Sequence, residues 1–147
     1  LPFKLNDKKM SSSVLHPNHF IFGCYVDEDD KEVEYKSISR FLPKQKKLIF
    51  KLRIYPGLGN LNIIFCKKNH GEEAKDDLSE DYVVRVENEN LIKVDNASRV
   101  NLKRDSEGLI LTLSEATSFR GLHTMEVIVR GGGAAIYYRN IIGVYIV

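Results

Sequence analysis

From Phe20 onward, short runs of Ile, Val, Leu, Tyr and Phe recur at intervals of roughly ten residues, separated by charged or Gly-rich stretches. That texture predicts an all-β sandwich or barrel. Strands are expected over 20–26, 33–39, 48–55, 61–67, 82–87, 91–94, 100–103, 109–113, 124–130 and 135–147. Helical periodicity is nearly absent; the stretch from His70 to Glu80 suits a helical turn or a charged loop equally. Residues 1–19, with Pro2, Asn6, Ser11-Ser12-Ser13 and Pro17, read as a tether or an irregular edge.

Side chains alternate faces along a strand, so Leu48, Phe50, Leu52 and Ile54 share one face. The same spacing aligns Leu61, Ile63 and Phe65, then Leu109, Leu111 and Leu113, then Met125, Val127 and Val129. These four sets are the expected core. The positions between them, among them Lys51, Arg53, Asn62, Thr112, Thr124 and Glu126, are largely polar and put one face of each sheet in water. Turns fall at Asp27-Glu28-Asp29-Asp30, at Pro56-Gly57-Leu58-Gly59, at Asp105-Ser106-Glu107-Gly108 and at Gly131-Gly132-Gly133.

Composition bounds this picture without naming a function. A chain of 147 residues closes one core. Hydrophobic residues at 43% and charged residues at 29% exclude a disordered tail. A net charge of +2 is too small to point to nucleic acid by bulk electrostatics. No apolar run reaches the roughly 20 residues that cross a bilayer as a helix, so membrane association is expected only through a span outside this segment. A start at Leu1 rather than Met fits a removed leader or a segment of something larger.

Ser98-Arg99-Val100 followed by Gly108-Leu109-Ile110-Leu111-Thr112-Leu113 and by Phe119-Arg120-Gly121-Leu122-His123-Thr124-Met125 resembles the D, E and F strands of an immunoglobulin-superfamily domain. Leu48-Ile49-Phe50-Lys51-Leu52 is similar to the family's strand B, and Ile63-Ile64-Phe65-Cys66-Lys67 to its strand C. Leu52 and Met125 stand where the family has its bridged cysteines, Phe65 where it has its core Trp, and His123 at the tyrosine corner. Intervals of 13 residues from Leu52 to Phe65 and 73 to Met125 match a variable-type domain. The resemblance implies a two-sheet Greek-key sandwich over residues 41–147, with residues 1–40 as an N-terminal extension adding an edge strand or hairpin. It also implies a core triple of Leu52, Phe65 and Met125 in place of the disulfide.

Candidate chemistry is sparse. Cys24 and Cys66 either bridge the N-terminal segment to the sandwich or remain two packed thiols. His16 and His19 have a metal-compatible spacing, yet the cysteines lie 42 residues apart, so no metal or cofactor is expected. The clusters Asp27 to Asp30, Glu72-Glu73 and Asp76-Asp77 read as solvated turns; Lys44-Gln45-Lys46-Lys47 with Lys67-Lys68, spread over turns without interleaved aromatics, give only a weak nucleic-acid or lipid signal that the balanced charge opposes. No phosphate loop, nucleophile elbow or triad spacing is present, which leads to the expectation that the chain is not an enzyme. Asn96-Ala97-Ser98 forms one glycosylation triplet.

The resemblance turns attention to the outer face of strands G, F, C and C′, the family's usual docking surface. It would carry Asn62, Ile64, Cys66, Lys68, Thr124, Glu126, Ile128 and Arg130, with Tyr137 and Tyr138 beside the Gly-rich loop. Either this face binds a protein partner, another copy included, or it is ordinary sheet cover. The implied function is cell-surface adhesion or receptor recognition in an extracellular setting, with no nucleic-acid partner. The alternatives are an intracellular immunoglobulin-like domain of a scaffold or muscle protein, and a membrane- or ligand-binding sandwich whose Asp27-to-Asp30 loop holds calcium.

Overall fold

The computed structural model describes residues 14–70 and 79–147. The acidic pairs at 72–73 and 76–77 and the serine run at 11–13 lie outside the described residues. Eleven strands follow a single 3-10 turn, Pro17–His19, in the described residues. They are β1 (Phe20–Glu28), β2 (Lys31–Tyr35), β3 (Phe41–Leu42), β4 (Lys47–Ile54), β5 (Leu61–Asn69), β6 (Ser79–Glu87), β7 (Asn90–Asp95), β8 (Val100–Asp105), β9 (Gly108–Ala116), β10 (Gly121–Arg130) and β11 (Ile136–Ile146).

The fold is all-β, with the strands in two sheets ordered β2-β1-β4-β9-β8 and β3-β11-β10-β5-β6-β7. The first places strands B, E and D of the expected pattern side by side, and the second places G, F, C, C′ and C″, which is the variable-type arrangement. The β1–β2 hairpin pads the first sheet, with β1 antiparallel along β4 from Phe20 opposite Ile54 to Val26 opposite Leu48. Periodicity missed β3, whose two residues are too short to alternate; it runs parallel to the end of β11, Phe41 opposite Tyr145.

Local backbone chemistry sets the hairpins. Asp29 and Asp30 both adopt positive φ, 51° and 66°, and Asn88 and Glu89 do the same at 50° and 64°. Paired left-handed residues make the type I′ turn whose twist matches that of the flanking strands, and short Asp and Asn side chains tolerate it. The four alternating sets meet between the sheets: Leu52, Ile63, Phe65, Leu111, Leu113, Val127 and Val129 are completely buried, and Met125 is 1% exposed. Phe22 adds to them from β1, stacked on Phe50 with ring centroids 6.1 Å apart.

Candidate functional site

At one end of the sandwich the apolar alternation runs out on four strands at once. On β5 the inward series Leu61, Ile63, Phe65 continues with Lys67 and Asn69. On β9 Leu109, Leu111 and Leu113 lead to Glu115, on β6 Val86, Val84 and Tyr82 lead back to Glu80, and on β10 Val129, Val127 and Met125 lead back to His123. Register brings these ends together, because Lys67 lies opposite both Glu80 and Met125, and Asn69 opposite His123. A polar cap therefore closes the core at the end opposite the loop of Gly131 to Gly133.

Glu115 is the hub of that cap. Its side chain is 8% exposed and accepts from Tyr82 Oη at 2.6 Å, Lys67 Nζ at 3.2 Å and Arg99 Nη1 at 3.2 Å. The carboxylate sits on the five-stranded sheet while Lys67 and Tyr82 sit on the six-stranded one, so the ion pair ties the layers together. Burial could be tolerated only with such partners. Tyr82 also approaches Glu80 Oε2 at 2.7 Å, and Arg99 Nη2 donates to the phenol oxygen at 3.2 Å. Burial, then the Glu115 and Glu80 contacts, hold the Tyr82 hydroxyl far above its ordinary range, so it remains a donor. The Tyr82 hydrogen bond, then Lys67, lower the Glu80 carboxyl below its usual value.

His123 Nε2 lies 2.6 Å from the Phe119 carbonyl oxygen and Nδ1 lies 2.7 Å from Asn69 Oδ1. Burial lowers its pKa, with His70 and Lys67 adding to the effect against the opposing hydrogen bond to Phe119. The neutral ring donates Nε2–H to Phe119 and accepts at Nδ1 when the amide nitrogen of Asn69 faces it, an orientation of the same shape. Next to it, the fully buried Thr117 accepts from Lys46 N at 2.7 Å and donates to Pro43 O at 2.9 Å, pinning the β9–β10 loop to the segment before β4.

Between this cap and the core lies a cleft of about 220 Å³. Leu48, Phe50, Met125, Val144 and Ile146 form its apolar floor, and Lys67, Arg99, Glu115, Asn69, Ser118 and His123 its polar walls. A concave apolar pocket with a few convergent polar groups is the arrangement of a small-ligand site. Sequence reasoning named Arg99 only as the residue opening a strand, read His123 at the tyrosine corner as a structural residue and Lys67 as part of a basic group, and passed over Glu115, Glu80 and Tyr82. A signal was there: charged residues of opposite sign occupy the next inward register of neighbouring apolar alternations.

The expected outer face is a real face of the six-stranded sheet. Asn62 pairs with Arg130, Ile64 with Ile128, Cys66 with Glu126 and Lys68 with Thr124. Glu126 accepts from Arg139 Nε at 3.0 Å. Tyr138 does not belong to it: it faces inward, 9% exposed, stacked on Phe20 at 5.3 Å. Tyr137 packs edge-on against His16 at 4.5 Å. Asn96 sits in the β7–β8 turn, its amide donating to Asp81 O at 3.3 Å. The two cysteines are free thiols, Cys24 turned into the core and Cys66 outward, so no bridge joins them. Burial pushes the Cys24 thiol up to about 12. With one thiol on each side of a sheet, the cysteines do not converge with His16 and His19, whose rings lie 5.6 Å apart.

Comparison with known proteins decides the family. Residues 4–147 match the family described as "Adenylyl/Guanylyl and SMODS C-terminal sensor domain". A protein named cytidylate cyclase from Escherichia coli is 63% identical over 148 residues, covering 99% of this chain and 33% of that protein. The chain thus spans about a third of the length of the curated relative it matches. These matches overturn the immunoglobulin-superfamily assignment: the strand order is shared, but a sandwich hosts unrelated families and does not fix function. The adhesion or receptor role, the extracellular glycoprotein setting and the scaffold, muscle and calcium-loop alternatives fall with it. So does the expectation of a protein outside enzymology, since the relative bears an enzyme's name.

Proposed function

The chain belongs to the Adenylyl/Guanylyl and SMODS C-terminal sensor domain family, and on that premise we propose that it is the signal-receiving module of a nucleotide cyclase, a cytidylate cyclase by its relative's name. In this reading the cleft over the core takes the signal, and its occupation alters cyclic-nucleotide formation by the rest of the enzyme. The observation that carries it is the cleft itself, an apolar floor walled by Lys67, Arg99 and Glu115 from both sheets. A ligand there touches both layers at once, so binding can shift one sheet against the other.

The test is made in the full-length protein. Ser118→Trp places a large ring at the cleft mouth from an exposed loop position. Cyclic-nucleotide formation from cytidine, adenosine and guanosine triphosphates is then compared in wild type and variant. A changed rate or a lost response to stimulus is expected; identical output under every condition, with the variant folded, removes the cleft from signal reception.

A further inference from the structure

The chemistry of the cleft narrows what it takes, an inference that rests on the sensing role proposed above. Two cationic heads, Lys67 and Arg99, stand in its wall, and two carboxylates answer them. The carboxylates are not equivalent. Glu115 is 8% exposed and held by three donors. Glu80 is 48% exposed, lies 3.4 Å from Lys67 Nζ and approaches Tyr82 Oη, which already lies 2.6 Å from Glu115. A phenol carries one proton, so it cannot donate to both carboxylates at once. When Glu80 swings into water, Tyr82 donates wholly to Glu115, and Lys67 loses an acceptor at the rim of an apolar floor.

We propose that Glu80 stands in for the acid group of a ligand, and that the cleft binds a small monocarboxylate with an apolar body. The ligand carboxylate takes over the Glu80 contact with Lys67, which lines the cleft although Glu80 itself does not, while the body enters the floor of Leu48, Phe50, Met125, Val144 and Ile146. Three features set this class. The floor asks for an apolar group whose burial drives binding. The rim, once Glu80 has left, has two cations against the single carboxylate of Glu115, which one ligand charge neutralises. The volume of about 220 Å³ is below the roughly 300–1,000 Å³ of pockets for drug-sized ligands, so a ring or short aliphatic chain fits, whereas a nucleotide would project outside.

The probes are 3-phenylpropionate and hexanoate, with 3-phenylpropanamide as the uncharged match. Each is titrated into the full-length protein by calorimetry, with the Met125 methyl resonance as the site reporter. Both acids are expected to bind with Kd at or below about 1 mM and to shift Met125. The amide is expected to bind about tenfold more weakly, the scale of one charge-assisted contact. Glu80→Ala, at an exposed position, tightens the acids by about tenfold, and Lys67→Met abolishes their advantage over the amide. Absence of binding, equal binding of acid and amide, or an unchanged affinity in Glu80→Ala overturns the proposal. Cyclase output separates the two readings. Acid binding with unaltered nucleotide cyclisation sinks the sensing role and leaves the ligand chemistry standing. No acid binding, with output still altered by Ser118→Trp, does the reverse.

Discussion

Glu115→Gln tests the idea that the cap is held by a charge shared between the sheets. Gln retains an acceptor for Tyr82 at Oε1 and nearly the same volume, but its amide nitrogen replaces Oε2, the oxygen that accepts from both Lys67 and Arg99, so charge and acceptor are removed together. Hydrogen bonds to charged groups contribute roughly 1.5–3 kcal/mol each, and two are lost. The full loss is not realised, because the Lys67 and Arg99 side chains are 21% and 49% exposed and regain water, and Lys67 keeps Glu80 at 3.4 Å. The expected cost is about 2 kcal/mol, which for a domain of this size lowers the melting temperature by about 6 °C. Urea unfolding at pH 7 followed by circular dichroism should show a lower midpoint at unchanged slope. Lys67→Met combined with Glu115→Leu should cost less than the sum of the single changes by about 1 kcal/mol, since it removes both charges of the Lys67–Glu115 pair and the partners it leaves behind, Arg99 and Glu80, are 49% and 48% exposed to water. A Glu115→Gln midpoint within about 0.5 kcal/mol of wild type, or strict additivity in the double variant, would refute the reasoning.

Three further outcomes follow from other parts of the molecule. Gly108 has φ +134°, and a Cβ there would run into the Ile54 carbonyl oxygen, so Gly108→Ala should destabilise by about 1–3 kcal/mol while Gly59→Ala, which meets nothing within 4 Å, stays near wild type in the same urea titration. Leu52→Ala removes a completely buried side chain from the centre of β4 and should cost about 2–5 kcal/mol; a loss under 1 kcal/mol would show that the position is not packed as described. His123 has a lowered folded-state pKa, so the unfolded chain takes up its proton first as pH falls below the ordinary value of 6.5. The stability it provides is therefore complete above that value and declines as pH drops from it toward the folded pKa. Unfolding free energies measured across this window should slope downward in wild type and flatten in His123→Gln; equal slopes would contradict the burial of a neutral ring.

The alternation of apolar residues was enough to locate ten of the strands and the core they bury, because a period of two is a local property that survives any sheet arrangement. Resemblance to a variable-type sandwich further anticipated which strands share a sheet. It misled about identity for a physical reason: Leu52, Phe65 and Met125 report how two twisted sheets pack, and that packing is common to proteins with nothing else in common. Tyr138 shows the limit of composition. A Tyr beside a Gly-rich loop looks like a contact residue, but the irregular register between Val129 and Arg130 accompanies an inward-facing side chain stacked on Phe20.

The cap is the feature that tertiary structure decided. Lys67, Glu80, Tyr82, Arg99 and Glu115 are spread over 49 positions of sequence, and each alone reads as an ordinary strand-end polar residue. Antiparallel pairing brings Lys67 opposite Glu80, and the stacking of one sheet on the other brings both against Glu115. Period and composition determined that a two-layer β domain would form and which face of each strand it would bury. Only the registers between strands far apart in the chain decided that four alternations would break at the same end, leaving a charged rim over an apolar cleft.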